Sequence, residues 1–277
     1  MVGQLYIDGQ DIYASFGLSV VDQGYNELVA WPPMKPVSYN DWHEEDGIQP
    51  DLSSPLLDAR RCTLRLNGVT SQMRVDALLN IFKRGVYHTI DVASIGRTYR
   101  MRYVGCDRNE VVGDMRYVTL NLVEDMPVLA SATAKSTITS YRDYTLDGKP
   151  FTHYGARILE GSLSSITQLP SVKTNLERSF EHKAGAIYDT HDTHFNAYDA
   201  TLKVLMRADT LPELWNNYDA LLRDMIAPNA RYIGVGKVSR LYPCYYLSQQ
   251  PTRFYATGKI WMEFDLTVKV FANPESI

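Results

Sequence analysis

Cysteine is scarce. Cys62, Cys106 and Cys244 are the whole complement in 277 residues, odd in number and far apart, with no CxxC. That excludes a disulfide framework and a cysteine zinc site. Positive charge is not in excess either, with 28 Lys and Arg against 32 Asp and Glu. A nucleic-acid binder needs a basic face, so that class is not expected. A mildly acidic wall would instead let DNA slide past without sticking. No run approaches the roughly 18 consecutive apolar residues of a membrane span. The opening MVGQLYIDGQ has no basic segment leading into an apolar stretch, so neither a signal peptide nor a membrane anchor is expected, and synthesis and folding belong to a cytoplasm. Catalytic signatures are missing as well: no GxSxG, no GxxxxGK[ST], no GxGxxG after a strand, no cysteine in a nucleophile motif. We therefore assign no catalytic residue and no cofactor, and expect a non-enzyme.

What is present is a soluble, globular composition, 45% hydrophobic and 22% charged, with 19 tyrosines, a residue that favours strands and interfaces. The chain also reads as one unit written twice. Leu5-Tyr6-Ile7-Asp8-Gly9 followed by Phe16-Gly17 has its echo in Tyr144-Thr145-Leu146-Asp147-Gly148 followed by Tyr154-Gly155. Asp8-Gly9 and Asp147-Gly148 are hairpin-turn pairs, because Asp and Gly tolerate positive φ. At an offset of 138 residues Pro32 meets Pro170, Trp42 meets Phe180, Gly47 meets Gly185, and Thr63-Leu64-Arg65-Leu66 meets Thr201-Leu202-Lys203-Val204. At 143, Asp76-Ala77-Leu78-Leu79 meets Asp219-Ala220-Leu221-Leu222, and at 144 Val118, Leu120 and Leu122 meet Met262, Phe264 and Leu266. The expected division is a first β domain over 1–128, a small-residue linker over 129–142 and a second β domain over 143–277.

Alternation of apolar and polar residues over 61–67 and 259–271 marks half-buried strands of antiparallel sheets. One helix interrupts each unit. Val75, Leu78, Leu79 and Phe82 form an apolar stripe, capped by Thr70 or Ser71 and ended by Gly85. Leu211, Leu214, Trp215, Tyr218, Leu221, Leu222 and Met225 form the second stripe, with a Thr210/Glu213 capping box. The fold class is mainly β (α+β): two tandem sandwich or barrel units, each with a flanking helix and a long loop or hairpin. Residues 31–58 and 168–196 are those long segments, too long for idle loops in compact domains. We read them as extended assembly arms carrying Trp31, Trp42, Glu44, Glu45, Asp46, Phe180 and Glu181, and expect removal of 41–55 to spare folding while weakening assembly.

Two clusters could suggest chemistry. Residues 188–194 place His191 and His194 at His-x-x-His spacing, a weak metal signal that a solvated loop explains as well; the first unit has no histidine there. Glu44-Glu45-Asp46 could attract a cation, but a solvated acidic loop accounts for it. No metal is assigned.

The order of these features, Leu5-Tyr6-Ile7-Asp8-Gly9 … Phe16-Gly17-Leu18, Pro32-Pro33, Trp42 … Asp46-Gly47-Ile48 … Asp51-Leu52-Ser53, the Thr63-Leu64-Arg65-Leu66 strand and the single helix, resembles the tube fold of long-tailed bacteriophage tail proteins: tail-tube subunits, distal tail proteins and baseplate-hub domains. The resemblance implies a structural virion protein, made in the bacterial cytoplasm, that forms a ring around the tail lumen. Its partners would be itself, as a pseudo-sixfold homotrimer or a homohexamer, and adjacent tail-tube, tape-measure or hub proteins, with DNA only as cargo. A β-sandwich module that binds a receptor or glycan at the tail tip is the other reading.

Overall fold

The computed structural model describes residues 3–129, 131–135, 143–175, 177–182, 184–188 and 192–276. In the first half the strands are β1 (Tyr6–Ile7), β2 (Gln10–Asp11), β3 (Ser19–Val20), β4 (Tyr39–Asn40), β5 (Gln49–Pro50), β6 (Arg60–Gly68), β7 (Tyr87–Val92), β8 (Arg97–Val112) and β9 (Met115–Glu124), with helices α1 (Ile12–Phe16), α2 (Asn26–Val29) and α3 (Gln72–Ile81). In the second they are β10 (Tyr144–Leu146), β11 (Lys149–Pro150), β12 (Ala156–Ile158), β13 (Glu177–Ser179), β14 (Ala186–Tyr188), β15 (Tyr198–Ala208), β16 (Arg231–Val235), β17 (Arg240–Tyr255), β18 (Ile260–Val270) and β19 (Glu275–Ser276), with α4 (Ser162–Ile166) and α5 (Leu211–Met225). The expectation of one helix per unit is corrected: α1, α2 and α4 are further short helices.

The first sheet runs β2-β1-β7-β8-β9-β6-β3 and the second β11-β10-β16-β17-β18-β15-β12, which is the same order strand for strand, with β19 added beside β17. The fold is thus mainly β, built on antiparallel sheets. Alternation makes it so. Every second residue of β18, from Ile260 to Val270, is buried, and α5 packs on the apolar face formed by β15 and β18. Both Asp-Gly turns have positive φ at each residue, 49° and 78°, the type I′ geometry that matches strand twist. Each aspartate also ties its turn to the neighbouring strand. Thr89 N–H donates to Asp8 Oδ1 at 2.8 Å and Tyr232 N–H to Asp147 Oδ1 at 2.9 Å, while the second oxygens meet His88 Nδ1 and the Arg231 guanidinium.

Helix α5 starts at its expected cap, with Glu213 N–H donating to Thr210 Oγ1 and Asp209 N–H to Glu213 Oε2. Helix α3 is capped by Ser71, but it ends at Ile81 and not at Gly85. Phe82 leaves the helix and stacks on Tyr103, ring centroids 4.4 Å apart.

Strand registers correct one offset. Leu64 pairs with Leu120, and Leu202 pairs with Leu266. Both long strands carry a bulge at matching places, Tyr103/Gly105 and Tyr246/Ser248. Leu120 therefore corresponds to Leu266, and Val118 to Phe264, two residues beyond the offset read from the sequence. The buried side chains of both halves join in one continuous cluster.

Candidate functional site

The surface that the residues build up to is an interlock between the two halves, together with the counterparts it leaves bare. Strand β17 is paired with β16 only over Arg240–Cys244, so its continuation from Tyr246 to Tyr255 would be a naked sheet edge. The first half covers it. Helix α2 lies against β17, Met34 N–H donates to Leu247 O at 2.9 Å, and Trp31 N–H to the buried Gln249 Oε1 at 2.9 Å. Trp31 is 4% exposed and inserts between Tyr218, Tyr246 and Phe264, with ring centroids 4.7, 5.9 and 5.5 Å away. The Tyr218 and Tyr246 hydroxyls donate to Val29 O and Pro32 O at 2.8 and 2.9 Å. Burial pushes the Tyr218 phenol well above its ordinary pKa, so it stays a donor. Beside this cluster Trp215 Nε1 donates to Ile95 O at 2.7 Å, and Arg97 lies over the Trp215 ring while bonding Asp219 Oδ1 at 2.7 Å.

Trp31 is therefore no exposed arm residue. It is the central side chain of the internal contact, because an indole that meets three rings of the other half cannot also face solvent. The first arm follows the same course. Its hairpin, β4 with β5, docks on the second half: Gly47 N–H donates to Phe195 O at 2.7 Å and Ile48 N–H to Phe271 O at 2.9 Å. A Cβ on Gly47 would lie 1.7 Å from Phe271 O, so this approach requires glycine. Asp46 accepts from Phe195 N–H at 2.7 Å and from the Asn273 amide. The buried Lys173 ammonium bonds Asp41 Oδ1 and Trp42 O, both at 2.6 Å. Of the acidic run, Asp46 is committed to this contact, Glu45 takes the Gln49 amide, and Glu44 is exposed. Trp42 is exposed, with its Nε1 on Gln49 Oε1 at 3.3 Å.

The second arm makes the same hairpin in the same register. Tyr39 pairs with Pro50, and Glu177 pairs with Tyr188. Yet all of β13 and β14 is exposed, along with Phe180 and Glu181. Residues 131–135 of the linker are laid along α5: Lys135 N–H donates to Asn217 Oδ1 and the Arg223 guanidinium to Ala132 O, both at 2.9 Å.

The histidine pair does not resolve into a site. His191 lies outside the described residues. His194 Nδ1 sits 3.7 Å from Asp46 Oδ1, which makes it part of the arm contact. Among the described residues no group of three His, Cys, Asp or Glu side chains converges. A polar recess of about 520 Å³ is lined by Glu27, Arg61, Cys62, Arg102 and Asp125. Three of its charges are engaged in structure: Arg102 grips Asp125 with two bonds of 2.8 Å, and Glu27 accepts Thr63 N–H at 2.7 Å. Burial pushes the Cys62 thiol up to about 12, which leaves it un-ionised at neutral pH. Among the described residues no helix is long and apolar enough to cross a membrane.

Sequence reasoning missed the free edge of β8. Strand β7 covers Arg97–Arg102 only, and Val104, Val111 and Val112 beyond it are exposed. Valines on outward positions of a strand were the available signal. It missed Leu169 and Val172 too, both exposed at the root of the second arm.

No protein-family model matches the chain, and comparison with curated proteins finds no match. Among solved structures, the chain is similar to the Dit protein (gp 19.1) of phage SPP1, described as a paradigm of the hub adsorption apparatus in phages that infect Gram-positive bacteria. The identity is 11% and the TM-score 0.33, over 96% of this chain and 97% of that one.

Proposed function

We propose that this chain is a non-enzymatic structural protein of a long-tailed bacteriophage tail, a tandem duplication whose copies join head to tail into a ring around the tail lumen. The duplicated units are 1–128 and 143–277, joined by 129–142. The observation that carries the reading is the incomplete interlock. Two sheets of one strand order lie in the chain, and the first half covers the free edge of the second. The first half's own equivalent edge stays bare, and so does the β13–β14 hairpin of the second half's arm. A contact used once within a chain and left open at both ends is heterologous. Repeated between copies it generates a closed ring or an open filament, depending on the rotation per step. With two units per chain, three chains would give a pseudo-sixfold ring. The net charge of −4 suits a lumen through which DNA passes as cargo. The exposed second-arm hairpin is a surface for neighbouring tail-tube, tape-measure or hub proteins, at the distal tail, the tip or along the tube.

Electron microscopy and sedimentation of the purified protein at rising concentration test this. The expected result is discrete particles of a few chains with an open centre. Persistent monomers that bind members of a glycan array would replace it with the receptor-binding reading. Turnover of any substrate at a defined pocket would remove the non-enzymatic part.

A further inference from the structure

We infer that the bare edge of β8, centred on Val104, receives the Leu169–Val172 segment of a second copy of this chain, in the register that Met34 and Leu247 hold within one chain. This rests on the head-to-tail reading above and specifies its contact. The argument is residue equivalence. The isolated bridges Met34↔Leu57 and Val172↔Phe195 correspond, as do the bonds Lys35 N–H to Leu56 O and Lys173 N–H to His194 O. These make Val172 the counterpart of Met34, and Leu169 that of Trp31. Across the contact, the matching bulges of β8 and β17 make Val104 the counterpart of Leu247 and Arg97 that of Arg240.

Exposure then divides the pairs. Trp31 is 4% exposed and Leu169 93%; Ile95 is 0% and its counterpart Val238 38%. Met34 and Leu247 are half-buried, while Val172 and Val104 are 48% and 56% exposed. Trp31, Ile95, Met34 and Leu247, satisfied within the chain, each have an apolar twin left in water. Charge repeats the pattern. Arg97 binds Asp219, and their counterparts Arg240 and Asp76 are both exposed and of the same signs. A second copy supplies all of these partners at once: Val172 N–H to Val104 O, Leu169 toward α3, and Arg240 toward Asp76.

The twins are not identical. Cys106 stands where Gln249 accepts from Trp31 N–H, and Val75 where Tyr218 packs on Trp31. The contact between copies thus lacks the aromatic cluster and is weaker than the internal one, which suits subunits that must fold first and assemble later.

The test uses the full chain carrying Val104→Cys and Val172→Cys in a Cys106→Ser background; the remaining thiols of Cys62 and Cys244 are buried. A backbone hydrogen bond between the two positions brings their Cα atoms within disulfide range. Oxidation is expected to give chains linked in twos and threes on non-reducing denaturing gels, with no links from either single variant. In parallel, Asp76→Arg is expected to weaken association about tenfold without shifting thermal unfolding, and adding Arg240→Asp to restore it. Rings that form without crosslinks, and ignore the charge reversal, overturn this contact and leave the ring reading standing. Crosslinked open chains with no closed particle support the contact and sink ring closure. A chain that stays monomeric and uncrosslinked at high concentration removes both.

Discussion

At the scale of single residues, the two turn aspartates show how one side chain carries a repeated structural task. Each sits at a φ of 49°, where Asp is tolerated, and each caps an amide of the adjacent strand. Asp147→Ala leaves Tyr232 N–H without its acceptor and the Arg231 guanidinium with Pro228 O but no carboxylate. We expect about 0.5–1.5 kcal/mol of lost stability by urea unfolding, the usual net worth of one hydrogen bond, with no effect on assembly. A variant as stable as the parent would show that water replaces the carboxylate. The thiols make a second residue-level test. Burial raises Cys62 to about 12 and drives Cys244 higher still, so both are un-ionised at neutral pH as well as inaccessible. Cys106 is only half-buried. One equivalent of thiol should react with a disulfide reagent in the native protein at pH 7 to 8, and the other two only on unfolding. Three equivalents reacting at once would contradict the burial.

At the scale of elements, the two arms are the same hairpin in different circumstances. The first is fastened by Asp41, Asp46, Gly47 and Ile48 to the second half, at Lys173 and Phe195 in the root of the second arm and at Phe271, whereas the hairpin strands of that arm, β13 and β14, are exposed throughout. Removing 41–55 is therefore expected to cost stability, where the sequence alone predicts that folding is spared. It strips the buried Lys173 ammonium of both its acceptors, and we expect a loss of at least about 1–3 kcal/mol. Deleting the second hairpin tip, 179–186, should leave the thermal midpoint almost unchanged. Equal effects in the two deletions would remove the asymmetry between the arms. Sequence could reveal that both arms exist, through their prolines and matched Trp42 and Phe180, but not which one is docked, because docking is decided by residues more than a hundred positions away. It could likewise reveal β18 by alternation and yet misplace its counterpart by two residues: a slip of two leaves every inward residue facing inward, so only the pairing of Leu64 with Leu120 and of Leu202 with Leu266 exposes it. The helix caps at Ser71 and Thr210 were readable because capping is local. The role of Trp31 was not, since nothing in its neighbours distinguishes an indole aimed at Tyr218 from one aimed at water. The histidine spacing, conversely, gave only a weak metal signal against a solvated loop, and neither reading showed that His194 lies beside Asp46 in the arm contact.

At the scale of the whole molecule, the buried residues form one cluster that runs through both sheets, with Trp31 at the junction. Tandem units joined by a linker commonly unfold separately, since the interface between them is small and polar. Here the interface is aromatic and hydrogen-bonded, and residues 131–135 of the linker lie on α5, so neither half can open without exposing the other's rings. Thermal unfolding of the intact chain should accordingly be a single transition, with calorimetric and van't Hoff enthalpies in agreement. Trp31→Ala should then do two things at once. It removes a large buried ring, at a cost of about 3–5 kcal/mol, and with it the ring contacts to Tyr218, Tyr246 and Phe264 across the halves, leaving the Tyr25–Phe254 edge contact and Arg97 over Trp215. The expected trace has a lowered midpoint and a broadened or divided transition. The same truncation at Leu169, already in water, should shift nothing in the isolated chain. If the parent protein itself melts in two resolved steps, the halves are independent, and the interlock cannot serve as the template for a contact between copies.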